Sequence, residues 1–200
     1  MLSRSRLIGF GIAGVLILIA VYFITTFNRL VREDEGVLLS WSELQNVYKR
    51  RADMVPSLVS IVKGAAEYEQ TVLDDVTTAR TRASAFTTSS LNAGAYQNQE
   101  EAQSQLALSM NRAIAVVEAY PDLKASDNFL YLQSQLEGTE RRIKFARKDF
   151  NESVNKYNNR VRQFPSSLVA RLTGFKIKEG FKADAGDQLA PEVKFNSSLK

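Results

Sequence analysis

The sequence predicts an all-α protein: a single N-terminal transmembrane helix, then an antiparallel bundle of three long helices and a short fourth, with an irregular C-terminal strap. Three observations carry this. Leu7 to Phe27 is an uncharged, largely apolar run. Two later stretches, Val37 to Phe86 and Phe129 to Phe164, repeat apolar residues at spacings of three and four, the signature of helices packed along one face. Pro121 and Pro165 stand where helical patterns stop, because proline removes a donor and restricts the residue before it. The expected layout is an anchor over residues 1–28, a bundle over 29–182 and a loose tail over 183–200.

The apolar run holds 21 residues, about 31 Å of helix at 1.5 Å per residue, which matches the hydrocarbon core of a bilayer. A cleaved signal peptide has a shorter apolar region followed by small residues. Here the run ends in Tyr22-Phe-Ile-Thr-Thr-Phe27, so an uncleaved anchor is expected. Gly9-Phe-Gly-Ile-Ala-Gly14 spells a dinucleotide-binding pattern, but it lacks the preceding strand and the following acid that such a site needs. It reads instead as small residues of a membrane helix; the sharper alternative is a helix–helix contact through Gly9 and Ala13, one turn apart. Arg4 and Arg6 before the run balance Arg29 and Arg32 after it. The terminal amine tips this count toward an inside N-terminus, hence a single-pass inner-membrane protein with its bundle on the extracytoplasmic side. No Gly or Pro separates Val15 from Glu35, so the anchor helix is expected to continue into the bundle, with Gly36 the first hinge candidate.

The stripe from Val37 to Phe86 includes Trp41, Leu44, Tyr48, Val55, Leu58, Val62, Val72, Val76 and Ala79. As one unbroken helix it would be about 75 Å long. Pro56 lacks the N–H owed to the Ala52 carbonyl, and Gly64 lowers helix propensity, so both are weak points. Arg51 and Glu69 fall on the stripe itself, where an unpaired charge is costly. After a Ser/Thr/Asn/Gly-rich loop, a second helix is expected over 97–120, with Ala102, Leu106, Met110, Ala113 and Val117 inward. Ser126 or Asp127 caps a third helix that runs to Phe164. Within it, Glu137–Arg141, Glu140–Lys144 and Glu152–Lys156 are placed for four-apart ion pairs worth about 0.2–0.5 kcal/mol each. Ser166 to Thr173 forms a short fourth helix ended by Gly174. Phe175 to Lys182 alternates apolar and basic residues and reads as a strap over the bundle, with a strand or a lipid-touching segment as alternatives.

Several ordered blocks carry a family resemblance. The run Trp41-Ser-Glu-Leu-Gln-Asn-Val-Tyr-Lys-Arg-Arg-Ala-Asp-Met-Val-Pro-Ser-Leu-Val-Ser-Ile-Val-Lys-Gly64 resembles the signature of the LemA family. So do Glu69, Val76-Thr-Thr-Ala-Arg80, Glu118-Ala-Tyr-Pro-Asp-Leu-Lys-Ala125, Asn128-Phe129, Leu136-Glu-Gly-Thr-Glu140 and Phe164-Pro165. The resemblance covers roughly residues 28–181; Met54 and Ser57 are conservative variants of the pattern. It implies a membrane anchor, an antiparallel helical bundle and no established enzymatic activity.

The residue inventory narrows the chemistry. The chain has no cysteine and no histidine. This removes disulfides, thiolate zinc sites, imidazole acid–base catalysis and the Glu-x-x-His ligand pattern of di-iron bundles. No phosphate-binding loop is present, and no cofactor is expected. The net charge of +4 includes Arg4 and Arg6; the residues after the anchor hold 24 basic and 22 acidic side chains, a balance that offers no footprint for nucleic acid.

What remains is a set of charges near the seams: Arg51, Lys63, Glu69, Arg80, Glu118, Glu137 and Glu140. The expectation is a structural charge network that fixes helix register. A polar pocket for a small anion or peptide terminus is the sharper alternative. The expected function is a non-enzymatic scaffold or adaptor for membrane or envelope proteins, or for copies of itself, held in the bilayer through Leu7 to Phe27. The alternative is an enzyme of unknown reaction type that uses Glu118 or Glu140.

Overall fold

The structure, a computed structural model, describes residues 4–64, 70–85 and 93–181. All regular elements among them are helices: α1 (Arg4–Val62), α2 (Gln70–Ala85), α3 (Ala93–Glu118), α4 (Pro121–Lys124), α5 (Asp127–Arg162) and α6 (Ser166–Thr173).

α1 is one helix of 59 residues, about 88 Å long. It begins as an exposed apolar span and continues, through Gly36, into the centre of the bundle. Burial starts at Thr26 and Leu30 and then follows the predicted stripe: Val37, Trp41, Leu44, Tyr48, Val55, Leu58 and Val62. Among the described residues it is the one helix long and apolar enough to cross a membrane. α5 lies along one side of α1, and α2 with α3 forms a hairpin against another side; α3 and α5 make little backbone contact with each other.

The stripe expected as one helix to Phe86 is broken. α1 ends at Val62 and turns at Lys63–Gly64; α2 then folds back along α1, bringing Arg80 beside Ala52. The physical reason lies in the stripe itself. A lone 50-residue apolar face needs cover along its whole length, whereas a break near Gly64 lets Leu73, Val76 and Ala79 bury Val55, Leu58 and Val62. Phe86, the loop to residue 92, Glu69 and the expected tail over 183–200 lie outside the described residues.

α3 ends two residues earlier than the apolar pattern predicted, and Pro121 opens the single turn of α4, a position where its missing N–H costs nothing. Ser126 caps α5 by accepting from the Phe129 N–H, 3.4 Å. α5 stops at Arg162, before a turn with a cis Phe164–Pro165 bond. α6 spans the expected residues, and Gly174 terminates it at φ 84°, a left-handed conformation that glycine adopts without steric cost.

Residues 175–181 form the strap. Two asparagines two turns apart on α5 hold it. Asn158 donates to the Lys178 carbonyl (2.7 Å) and accepts from the Lys178 N–H (2.9 Å). Asn151 does the same with Phe181 (3.2 and 2.8 Å). Gly180 lets the strap pass close to Asn151, since a Cβ there would lie 2.6 Å from Oδ1.

Candidate functional site

A polar layer crosses the bundle where α1, α3 and α5 meet. Arg51 comes from the α1 stripe and is 5% exposed. Its guanidinium donates to the Gln103 carbonyl (3.1 Å), to Gln103 Oε1 (3.3 Å) and to Glu140 Oε2 (2.5 Å). Glu140 is half exposed, so the pair joins a buried cation to a carboxylate at the bundle surface. Gln99 and Gln103 are buried on α3, and one turn away Glu100 is paired with Arg147 of α5. Arg147 also lies over the Phe181 ring, 4.8 Å from its centre, and so ties the layer to the strap. Three buried polar atoms here or nearby have no partner: Arg51 Nε, Gln99 Oε1 and the Tyr96 hydroxyl. Burial pushes the Tyr48 phenol up to about 12 and raises that of Tyr96 as well.

Not every predicted charge joins this layer. Arg51 and Glu140 are brought together. Arg80 instead donates from Nε to the Ala52 carbonyl at 2.9 Å. That carbonyl is the one Pro56 cannot serve, so an arginine from the neighbouring helix replaces the missing helical hydrogen bond. Lys63, Glu118 and Glu137 are exposed and make no ion pair among the described residues. The three four-apart pairs expected on α5 do not form. Glu140 turns to Arg51, Lys156 to Glu33 of α1 (3.1 Å), and Glu152 to Lys148 (3.4 Å).

Between α3 and α5 an open groove of about 650 Å³ runs beside the layer. Its floor is apolar, with Met110, Ile114 and Leu136, and Glu137, Glu140 and Arg141 stand on its rim. Glu118 is not among its lining residues, so this groove does not bring together the two carboxylates of the enzymatic alternative. No cluster of three or more His, Cys, Asp or Glu side chains suited to a metal occurs among the described residues.

Sequence reasoning missed Gln99, Gln103, Glu100 and Arg147. A signal was available for the glutamines: Tyr96, Gln99, Gln103, Leu106 and Met110 continue the three–four spacing of α3 on its buried face. Buried glutamine is uncommon, so an apolar stripe alone does not select them.

Together these features define a class: an all-helical bundle continuous with one membrane-type helix, its most buried charge bound internally beside an open amphipathic groove. More specifically, the chain belongs to the LemA family, whose sequence model matches residues 40–195. Among curated proteins it is similar to the Magnetosome protein MamQ of Magnetospirillum gryphiswaldense, 33% identical over 87 residues, covering 42% of this chain and 32% of the relative. It is likewise similar to the Magnetosome proteins MamQ 2 and MamQ 1 of Paramagnetospirillum magneticum, each 35% identical over 79 residues, covering 39% of this chain and 29% of theirs. The chain thus spans about a third of the length of the curated relatives it matches.

Proposed function

We propose that the protein is a non-enzymatic, single-pass membrane adaptor whose bundle presents a docking platform to membrane or envelope proteins, or to a second copy. The observation that carries this reading is the continuity of α1. The same helix supplies the apolar span and the central stave of the bundle, without a break through Gly36. Such a joint holds the bundle at a set height and orientation on the bilayer, which suits binding and offers nothing to a diffusing catalyst. Within this reading residues 1–28 are the anchor and 29–182 the binding unit. Within the same reading the span lies in the inner membrane with the bundle outside the cytoplasm. The layer around Arg51 and Glu140 sets the register of α1, α3 and α5, a structural role rather than a catalytic one.

Site-specific photo-crosslinking in cells tests the platform. A probe at Asn111, in the α3–α5 groove, is expected to give a discrete adduct with a membrane protein or with a second copy. The adduct should vanish when the span is replaced by a cleaved secretion signal. Absence of any adduct, together with turnover by the purified protein that needs Glu118 or Glu140, would overturn the adaptor reading. Protease digestion of cells with the inner membrane intact tests the side: cutting of the bundle places it outside, and protection places it in the cytoplasm.

A further inference from the structure

The membrane end of the bundle carries an apolar surface that the fold does not use. Phe164 is 80% exposed and Leu172 79%; Leu168 and Ile177 are more than half exposed. Leu168 and Leu172 are one turn apart on α6, opposite the face on which Val169 and Ala170 pack against Leu30 of α1. α6 is thus an amphipathic helix with one side on the protein and the other uncovered.

Its height is fixed by two independent registers. α5 runs antiparallel to α1, and Lys156 is bonded to Glu33. Arg162, six residues further along α5, therefore lies about 9 Å closer to the anchor, level with Phe27, where the apolar span ends. Phe164 follows in the turn beyond. On the return, the Phe175 ring lies 6.0 Å from that of Phe27, and α6 stands beside Leu30. The uncovered side chains thus sit at the boundary between the apolar span and the polar bundle. Arg29, Arg32, Arg162, Arg171 and Lys176 are exposed around the same level. Of the acids nearby, Glu33 and Asp34 are already paired with basic residues, and Glu35 and Glu179 are exposed.

The geometry points to a second membrane contact: Phe164, Leu168 and Leu172 insert at the headgroup level of the bilayer that α1 crosses, ringed by arginines that face anionic lipid. Apolar side chains on one face with basic residues around them are the pattern of an interfacial helix. The contact is continuous with the span, so the span delivers α6 to the surface at no further cost in translation. It would brace the shaft at its base.

The inference rests on α1 crossing the bilayer, and the test separates the two. The chain has no cysteine, so single variants Leu172→Cys and Phe164→Cys of the full chain take one nitroxide label each. The exposed positions of both residues leave the core intact, which matching thermal melts confirm. The proteins are placed in nanodiscs of phosphatidylcholine and phosphatidylglycerol, and label accessibility to oxygen and to a water-soluble nickel chelate is measured. Leu172→Cys and Phe164→Cys should show a several-fold higher oxygen-to-nickel ratio than Leu108→Cys, an exposed leucine on α3 remote from the span. Ratios equal to that of Leu108→Cys would overturn the inference, as would spin–spin broadening that reveals a second copy on this face. Leu18→Cys, within the span, reports on the anchor alone. A lipid-buried Leu18→Cys beside water-exposed α6 labels sinks the contact and leaves the anchor standing, whereas a water-exposed Leu18→Cys sinks the anchor itself.

Discussion

The two halves of the bundle solve the same packing problem with different materials. Far from the span the core is mainly aliphatic, with Val55, Leu58, Val62, Leu73, Val76, Leu106, Val117 and Leu132 packed around the single ring of Phe129. Near the span it is aromatic: Trp41, Tyr48, Tyr96, Phe150 and Tyr157, with Phe175 and Phe181 of the strap packed against them. The difference follows from which helices are present. The distal half has α1, α2, α3 and α5 side by side, and small branched side chains fill the space between four helices. No residue of α2 belongs to the proximal cluster. There the extended strap lies where a fourth helix would, and its Phe175 and Phe181 rings pack on those of the helices. Trp41 and Tyr96 meet edge to face at 4.7 Å, and Phe150 contacts Trp41, Tyr96 and Phe181. A strap has no internal hydrogen-bond ladder, so its backbone groups need partners from elsewhere. Asn151, Tyr157 and Asn158 supply them.

The largest expected effect comes from breaking the aromatic half at its centre. Phe150→Ala should cost about 3–5 kcal/mol in denaturation followed by circular dichroism in detergent, and should release the strap to trypsin at Lys176 and Lys178. A distal truncation, Leu106→Ala, should cost about 2–5 kcal/mol and leave the strap protected. Equal strap cleavage in both variants would mean that the halves are not separate.

Next comes the layer that divides them. Glu140→Ala strands the buried Arg51 cation and should cost about 3 kcal/mol. Arg51→Met removes the charge from the buried side, leaves Glu140 in water, and should cost less. The reverse order in chemical denaturation would show that Glu140, not Arg51, carries the desolvation penalty.

Gly180→Ala acts on the strap alone. Its Cβ would meet Asn151 Oδ1, so either that side chain gives way and loses its bonds to Phe181 or the strap shifts, at about 1–3 kcal/mol. Hydrogen exchange should rise at the Phe181 and Lys178 amides while the α2–α3 amides are unchanged.

At physiological pH the smallest effect is that of the proximal phenols, which titrate only in alkaline solution. Tyr48 and Tyr157 have phenol values near 12 in the folded protein, raised from 10.0 chiefly by burial. Since the folded value lies above the unfolded one, their contribution is complete below pH 10 and is lost as pH rises from 10 to 12. Thermal melts should fall over that window, and Tyr48→Phe should flatten the fall.

Much of this was legible in the sequence, and the gaps have a common cause. Local rules act within a few residues, so the Ser126 cap, the limits of α6 and the Gly174 stop could be read directly. The apolar stripe identified the inner faces of α1, α2 and α5. Periodicity describes one helix at a time, however, and carries no record of how two helices slide against each other. The fold-back near Gly64, the choice of Glu140 for Arg51 over Lys144, and the pairing of Lys156 with Glu33 all depend on that sliding. A surface pair four residues apart is worth a few tenths of a kcal/mol, so any well-placed partner on a neighbouring helix displaces it. Pro56 leaves a carbonyl of α1 unserved; its remedy, Arg80, lies on another helix, where no pattern in α1 can point to it.

An unbroken α1 also makes the anchor and the bundle a single compass needle. An α-helix turns by about 100° per residue, so the bearing of Gly9 and Ala13 in the bilayer sets the bearing of the groove between α3 and α5 far above it. Two such shafts meeting along one face in the membrane would hold their grooves at one angle to each other. Rotating a shaft at its foot then also turns its groove.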